Sequence, residues 1–290
     1  MQANTSTLTT IQQRYSCRNY ASTPIAENLR ESLSNSIAQL PLGPFQNPSR
    51  FELVAASEKD RNALRGLGTY GFIKNAPAFI IGAAEDGPLA MEDFGYRMER
   101  IILSATNLGL GTCWLGGTFT RSGFAQKISA LKAEIIPAVC SLGYPAQDDH
   151  VLGSTIRQLA GSKDRLPWET LFFDNEFGKP LSPDIVGAFA TPLEMVRLAP
   201  SASNKQPWRI LRSGNCWHFY LQRTKGYREM AIARFTGIAD MQRIDMGIAM
   251  SHFELASLEL GMAGKWEINK PDIALPDNLI SYVVSWISER

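Results

Sequence analysis

Asp93-Phe-Gly95-Tyr-Arg-Met98-Glu-Arg-Ile-Ile-Leu103-Ser-Ala-Thr-Asn-Leu108-Gly109-Leu-Gly-Thr-Cys-Trp114 lies without a gap on Asp245-Met-Gly247-Ile-Ala-Met250-Ser-His-Phe-Glu-Leu255-Ala-Ser-Leu-Glu-Leu260-Gly261-Met-Ala-Gly-Lys-Trp266 when the chain is shifted by 152 residues. Seven of the 22 positions are identical. The first stretch is a helix by pattern, because Phe94, Met98, Ile101, Ile102, Ala105 and Leu108 recur at helical spacing. Gly109 closes it as a C-cap. Two amphipathic helices match at Leu and Met by pattern alone. That pattern does not account for the glycine and tryptophan, five residues apart, that follow each helix. The chain therefore reads as two fused copies of one domain. Two copies do not make a solenoid, and the two helices, taken as 91–109 and 240–261, are expected to pack on each other.

The first copy predicts a helix from Ile25 to Gln39 with Thr23 as N-cap and Pro24 at N1. A proline-rich loop follows over Pro41–Pro48, then a strand over Phe51–Ala56, a short polar helix over Ser57–Arg65, and a buried strand over Ala78–Ala83. Another strand is expected over Ala138–Leu142. Residues 1–10 read as frayed and Gln147–Arg165 as an excursion. The second copy predicts a helix over Pro183–Arg197 and a loop over Pro200–Pro207. A hairpin (Trp208–Arg212, Cys216–Leu221) and a closing strand (Ile280–Trp286) complete it. The fold class is α+β, each half a mixed, mostly antiparallel sheet with helices around it, with halves 1–172 and 173–290.

Composition narrows the function. The 290 residues carry 29 Lys+Arg against 28 Asp+Glu, a net charge of +1. This argues against a nucleic-acid protein that works by neutralising phosphates, and no stretch approaches the ~18 apolar residues of a membrane span. The N-terminus lacks the basic and apolar regions of a signal peptide. The four cysteines lie far apart with no CxxC, so they read as reduced and mostly buried thiols of a cytoplasmic protein. Gly66-Leu-Gly68-Thr-Tyr-Gly71 matches the GxGxxG string. A dinucleotide site, however, needs a strand before it and a helix after it, and here the order is inverted. Walker A, GxSxG and HExxH motifs are missing, and His150, His218 and His252 are not spaced as metal ligands, so no metal is expected.

Four segments remain. Arg14-Tyr15-Ser16-Cys-Arg18 puts two guanidinium groups and a hydroxyl on one side of an extended chain, a seat for an anion. Alone, it reads first as a solvated basic segment. Gly109 to Gly117 holds glycines that let the backbone approach a flat ligand, or that serve only as a cap and a turn. Lys163-Asp-Arg165-Leu-Pro is a second basic pair. Pro200-Ser201-Ala202-Ser203-Asn204-Lys-Gln-Pro-Trp208 gathers small donors in one loop before a strand.

Taken together with Leu142-Gly-Tyr-Pro145, these segments resemble in kind and order the FMN-dependent nitroreductase family, in particular a single-chain, tandem-duplicated subgroup. The resemblance spans about Arg14 to Trp208. It implies a flavin held between the halves. Arg14, Tyr15, Ser16 and Arg18 would bind the phosphate, ribityl chain and pyrimidine edge, and Lys163 and Arg165 would complete the phosphate seat. Backbone from Trp114, Leu115, Gly116 and Gly117 would face the ring. Pro200, Ser201, Ala202, Ser203 and Asn204 would reach it from the other half, and Thr69 and Tyr70 would line the pocket. The first-half stretch corresponding to the serine loop, Pro41-Leu-Gly-Pro-Phe-Gln-Asn-Pro-Ser-Arg50, lacks the paired serines, and the second half lacks the Arg-x-Ser-x-Arg segment. One site is therefore expected intact and its mirror decayed.

The implied activity is passage of a hydride from NAD(P)H through FMN to a small nitro-aromatic or quinone acceptor, in a monomer, with no catalytic side chain. Other flavin chemistry on the same fold, such as reductive dehalogenation or flavin breakdown, and a non-catalytic flavin-binding role are the alternatives.

Overall fold

The computed structural model describes residues 6–57, 60, 62–147, 164–226 and 238–289. Its first element is α1 (Thr7–Gln13), capped by the Ser6 hydroxyl, which accepts the Thr9 N–H. Glu259, far along the chain, accepts the N–H groups of Thr7 (2.6 Å) and Leu8 (3.3 Å), so a negative charge meets the positive end of the helix. Residues 6–10 are therefore ordered rather than frayed. Helix α2 (Glu27–Ala38) starts later than Thr23 and Pro24 signal, because Ile25 is buried in the core and the Tyr144 hydroxyl accepts the Ala26 N–H at 3.3 Å.

Strands β1 (Ser49–Ala55) and β2 (Ala78–Glu85) pair antiparallel, Leu53 opposite Ile80. Between them, the described part of Ser57–Arg65 forms turns instead of the expected helix. The Ser57 hydroxyl accepts the Asp60 N–H and the Asp60 carboxylate accepts that of Asn62, local bonds that compete with a helix. Then come α3 (Ala90–Asn107), β3 (Gly111–Leu115), α4 (Arg121–Lys127), β4 (Glu134–Ile135) and β5 (Val139–Gly143). Gly109, at φ +79°, turns the chain from α3 into β3.

Next come α5 (Trp168–Leu171), β6 (Phe172–Asp174), α6 (Pro183–Val186) and α7 (Ala190–Leu198). The expected single helix over Pro183–Arg197 is broken at Gly187, which takes φ +64° and opens a 3-10 turn. Strands β7 (Trp208–Ser213) and β8 (Cys216–Gln222) form the expected hairpin, followed by α8 (Met241–Glu259), β9 (Gly264–Glu267) and β10 (Ile280–Ser288).

The two sheets repeat one design. Their spatial orders are β1-β2-β5-β3, with β4 beside β2, and β7-β8-β10-β9, with β6 added in parallel on β7. Each half runs hairpin, long helix, short strand, closing strand. Helices α3 and α8 make the most extensive contact between elements. Gly95 of α3 lies against the Ile244 carbonyl, and Gly247 of α8 lies against the Glu92 carbonyl. Under the 152-residue shift these are the same contact read in both directions, as a twofold axis requires. A Cβ at either glycine would enter backbone of the other helix, so here the absence of a side chain sets how closely the halves meet. Phe94, Met98, Ile244, Met250, Phe253 and Trp286 belong to one continuous apolar core. The fold is α+β, two halves packed as an intramolecular pseudo-dimer.

Candidate functional site

The same axis relates two corners. Asp93 accepts the N–H groups of Phe45 (3.0 Å) and Asn47 (2.8 Å), fixing the 41–48 loop. Its counterpart Asp245 accepts the Ala202 N–H at 3.0 Å, fixing the 200–206 loop. Burial pushes both carboxyls above their ordinary pKa, opposed by these N–H bonds.

The second corner reaches across to residues 164–166. Arg165 Nη1 donates to Asn204 Oδ1 at 2.7 Å and Nη2 to the Leu198 carbonyl at 2.9 Å. Gln206 Oε1 accepts the Leu166 N–H (2.9 Å), while Asn204 Nδ2 and Gln206 Nε2 donate to the Asp164 carbonyl (2.7 and 3.2 Å). Ser201 is turned into the loop, its hydroxyl accepting the Gln206 N–H at 2.9 Å. Ser203, Asn204 and Gln206 all adopt positive φ, which knots the loop. Lys163 lies outside the described residues, as does His150.

The Arg14–Arg18 segment runs beside β3. Ser16 bridges Thr112, the Cys17 N–H donates to the Thr112 carbonyl (2.9 Å), and the Lys74 N–H donates to the Arg18 carbonyl (2.9 Å). The Arg14 side chain is 5% exposed, with its Nε 3.8 Å from Glu99 Oε1. Glu99 is fully buried, accepts the Trp114 indole N–H at 2.7 Å, and stands 2.9 Å from His252 Nε2. His252 Nδ1 faces the Met195 carbonyl at 2.9 Å, so that nitrogen carries a proton. The axis has a second such cluster. Glu254 accepts from Tyr96, from the Trp266 indole N–H (3.0 Å) and pairs with Arg100 (3.2 Å). Arg100 and His252 are counterparts under the shift, as are Trp114 and Trp266.

Two cations thus converge in a buried place. Arg14 Nε has no acceptor, and burial lowers the Arg165 pKa to about 10, with the positive charges of Arg14 and Arg197 adding to the effect. Buried like charges are unfavourable unless an anion joins them. The donor set therefore fits a phosphate monoester, acceptor-only and doubly charged.

The glycine turn lies where the halves meet. Met241 packs directly on Gly116, and a Cβ at Gly117 would lie 3.7 Å from Ile238 Cδ1. Leu115 is buried. Arg121 Nη2 donates to the Gly116 carbonyl. Thr69 is turned inward, donating to the Ile73 carbonyl at 3.4 Å, whereas Tyr70 is exposed. The structure thus gathers Arg14, Trp114, Arg165 and Asn204 around one cation cluster, and sets the Leu115–Gly117 turn against the second half. The sequence patterns mark neither Glu99 nor Arg121, and they give His252 only as a histidine not spaced to bind metal. Glu99 and His252 lie on helix stripes where nothing marks their pairing, and Arg121 follows the glycine turn with no motif around it. Among the described residues no cluster of ligands could hold a metal, and no helix is long and apolar enough to cross a membrane.

The model of the family described as "Putative TM nitroreductase" matches residues 6–257. A crystal structure from Thermotoga maritima, described as a "putative nitroreductase", matches at 18% identity and a TM-score of 0.63, covering 99% of this chain and 95% of that one. A nitroreductase with bound FMN from Bacteroides fragilis matches at 18% identity and a TM-score of 0.38, covering 50% of this chain and 90% of that one. An FMN-dependent nitroreductase from Clostridium difficile matches at 21% identity and a TM-score of 0.39, covering 48% and 87%.

Proposed function

Because the chain belongs to this nitroreductase family, we propose that it is an FMN-dependent oxidoreductase that takes a hydride from NAD(P)H and passes it to a small nitro-aromatic, quinone or similar acceptor. The observation that carries the reading is the buried pair Arg14 and Arg165, two like charges brought together where the 200–206 loop meets residues 164–166. Bound there, FMN supplies the hydride chemistry. The chain's own residues supply position and charge. Arg14 and Arg165, with Ser16 and Lys163, hold the phosphate. Tyr15, Arg18 and the backbone of Trp114 to Gly117 line one side, and Pro200 to Asn204 line the other.

Asn204 and Leu198 fix the direction of the Arg165 guanidinium, and Glu99 does the same for Arg14. Both are then in place before an anion arrives, which lowers the ordering cost of binding. Met241 and Ile238 set apolar side chains beside the Gly116–Gly117 turn. No side chain is required as acid or base, since water or substrate supplies the proton.

The mirror corner, whose 41–48 loop lacks the serines, binds no flavin. The halves divide as 1–172 and 173–290, and a chain that contains both works as a monomer in the cytoplasm. The direct experiment is anaerobic titration of purified protein with NADH and NADPH. Protein that carries FMN and bleaches on titration supports the reading. A colourless protein that takes up no added FMN sinks it.

A further inference from the structure

Among the described residues, Arg121 stands beside the glycine turn without a carboxylate partner. Its guanidinium lies over the Phe119 ring, 4.6 Å from the centroid, and its Nη2 caps the Gly116 carbonyl. Its Nε is shielded from solvent and has no acceptor. Burial lowers its pKa, and nearby Tyr70 opposes that shift. Two other partly buried arginines meet a carboxylate. Arg243 forks onto Glu92 at 2.7–3.0 Å, and Arg50 forks onto Glu134 at 2.8 Å. No such carboxylate meets Arg121 among the described residues.

What surrounds it is aromatic and apolar. The 66–71 loop is clamped to α4, because the Thr120 N–H donates to the Gly68 carbonyl at 2.9 Å and Gly123 packs on the Gly66 carbonyl. The clamp holds Tyr70 at φ +48° with 69% of its surface exposed. A tyrosine is costly to keep in that region, and such strain persists where the surroundings impose it. Met241 and Ile238 form an apolar wall over Gly116 and Gly117.

We propose that Arg121, Tyr70 and the Met241–Ile238 wall form a subsite for an aromatic carboxylate. The guanidinium takes the carboxylate as a fork and the ring stacks between Tyr70 and the wall. That the ligand is an electron acceptor rests on the flavin reading above. That it binds does not.

The test is calorimetric titration of the full-length protein with 4-methylbenzoate and with 4-methylbenzyl alcohol, neither of which is reducible by a hydride donor. The carboxylate binds at least about tenfold more tightly than the alcohol, the expected worth of one charge-assisted contact. Arg121→Gln removes this preference without changing the alcohol's affinity, and Arg121→Lys keeps part of it. Equal affinity of the two probes for the natural protein overturns the proposal. So does a preference that survives in Arg121→Gln. If Arg121→Gln fails to fold, a preference that Arg121→Lys retains in full overturns it, since the planar fork is then not what selects the carboxylate. Arg121-dependent preference for NADP+ over NAD+, with no preference for the benzoate, assigns the cation to a donor phosphate and also overturns it. A flavin-free protein that discriminates the two probes leaves this subsite standing while removing the flavin reading.

Discussion

The two loop corners related by the internal axis are built from the same parts and bonded in opposite directions. The 41–48 corner is satisfied from its own helix. Asp93 takes its N–H groups, and Arg97, one turn further along α3, donates to the carbonyls of Pro41 (2.9 Å), Leu40 (3.4 Å) and Ser49, and to the Ser49 hydroxyl (2.7 Å). The 200–206 corner keeps one tie to its helix, through Asp245, and sends the rest to Asp164, Arg165 and Leu166. A corner closed on itself is a structural joint. One that reaches across a junction and holds an arginine there is a place where a ligand can be gripped. Duplication supplied two equal corners, and the difference between them lies in where the polar groups point.

If that division is right, the first corner should fail as structure and the second as a binding site. Arg97→Ala strips four contacts from an arginine that is 7% exposed. It should lower unfolding free energy by about 2–4 kcal/mol in denaturant melts, while the protein that remains folded keeps its flavin affinity. A matching loss of affinity would erase the distinction. Arg165→Ala should do the reverse. FMN binding weakens about tenfold to a hundredfold, measured by fluorescence quenching, and the melting temperature of flavin-free protein does not fall. Inorganic phosphate at about ten times its Kd should stabilise the flavin-free protein by about 1.4 kcal/mol, an effect absent in Arg165→Ala. Chloride at equal ionic strength giving the same gain would mean simple screening.

The smallest expected difference lies between the sheets. Two rungs in from each hairpin end, Ile80 faces Leu53 in the first sheet and His218 faces Leu211 in the second. Burial holds the His218 pKa below its ordinary value. The unfolded chain then takes up a proton as pH falls below about 6.5 while the folded chain resists it, so stability present above that pH is lost on acidification. The slope contributed is at most about 1.4 kcal/mol per pH unit. His218→Ile should flatten that part of the stability curve, since Ser285 keeps Tyr282 and Asn269 as partners. An unchanged curve would remove His218 as its source.

Much of this was legible in the sequence where the signal is periodic or rare. The stripe of Phe94, Met98 and Ile102, the paired Gly95 and Gly247, and the turn between Arg212 and Cys216 set the central helices and the hairpin, and the observed helices end within two residues of the expected Gly109 and Gly261. Features set by distant partners were not legible. The polar Thr7–Gln13 stretch is helical because Glu259 caps it. The start of α2 is fixed by Tyr144 rather than by Thr23. Gly187 breaks what pattern alone joins into one helix. At the site, the motif residues marked the 200–206 loop and Arg165. The Glu99–His252 pairing that backs Arg14 joins positions 153 residues apart, and no local pattern announces it.

The measurement that bears most directly on two copies with one surviving site is the flavin stoichiometry of purified protein saturated with FMN, freed of excess ligand and then denatured, with chain mass read by light scattering. One FMN per single chain is the predicted result, falling toward zero in Arg165→Ala. Two FMN per chain, or one that persists in Arg165→Ala, would contradict the account.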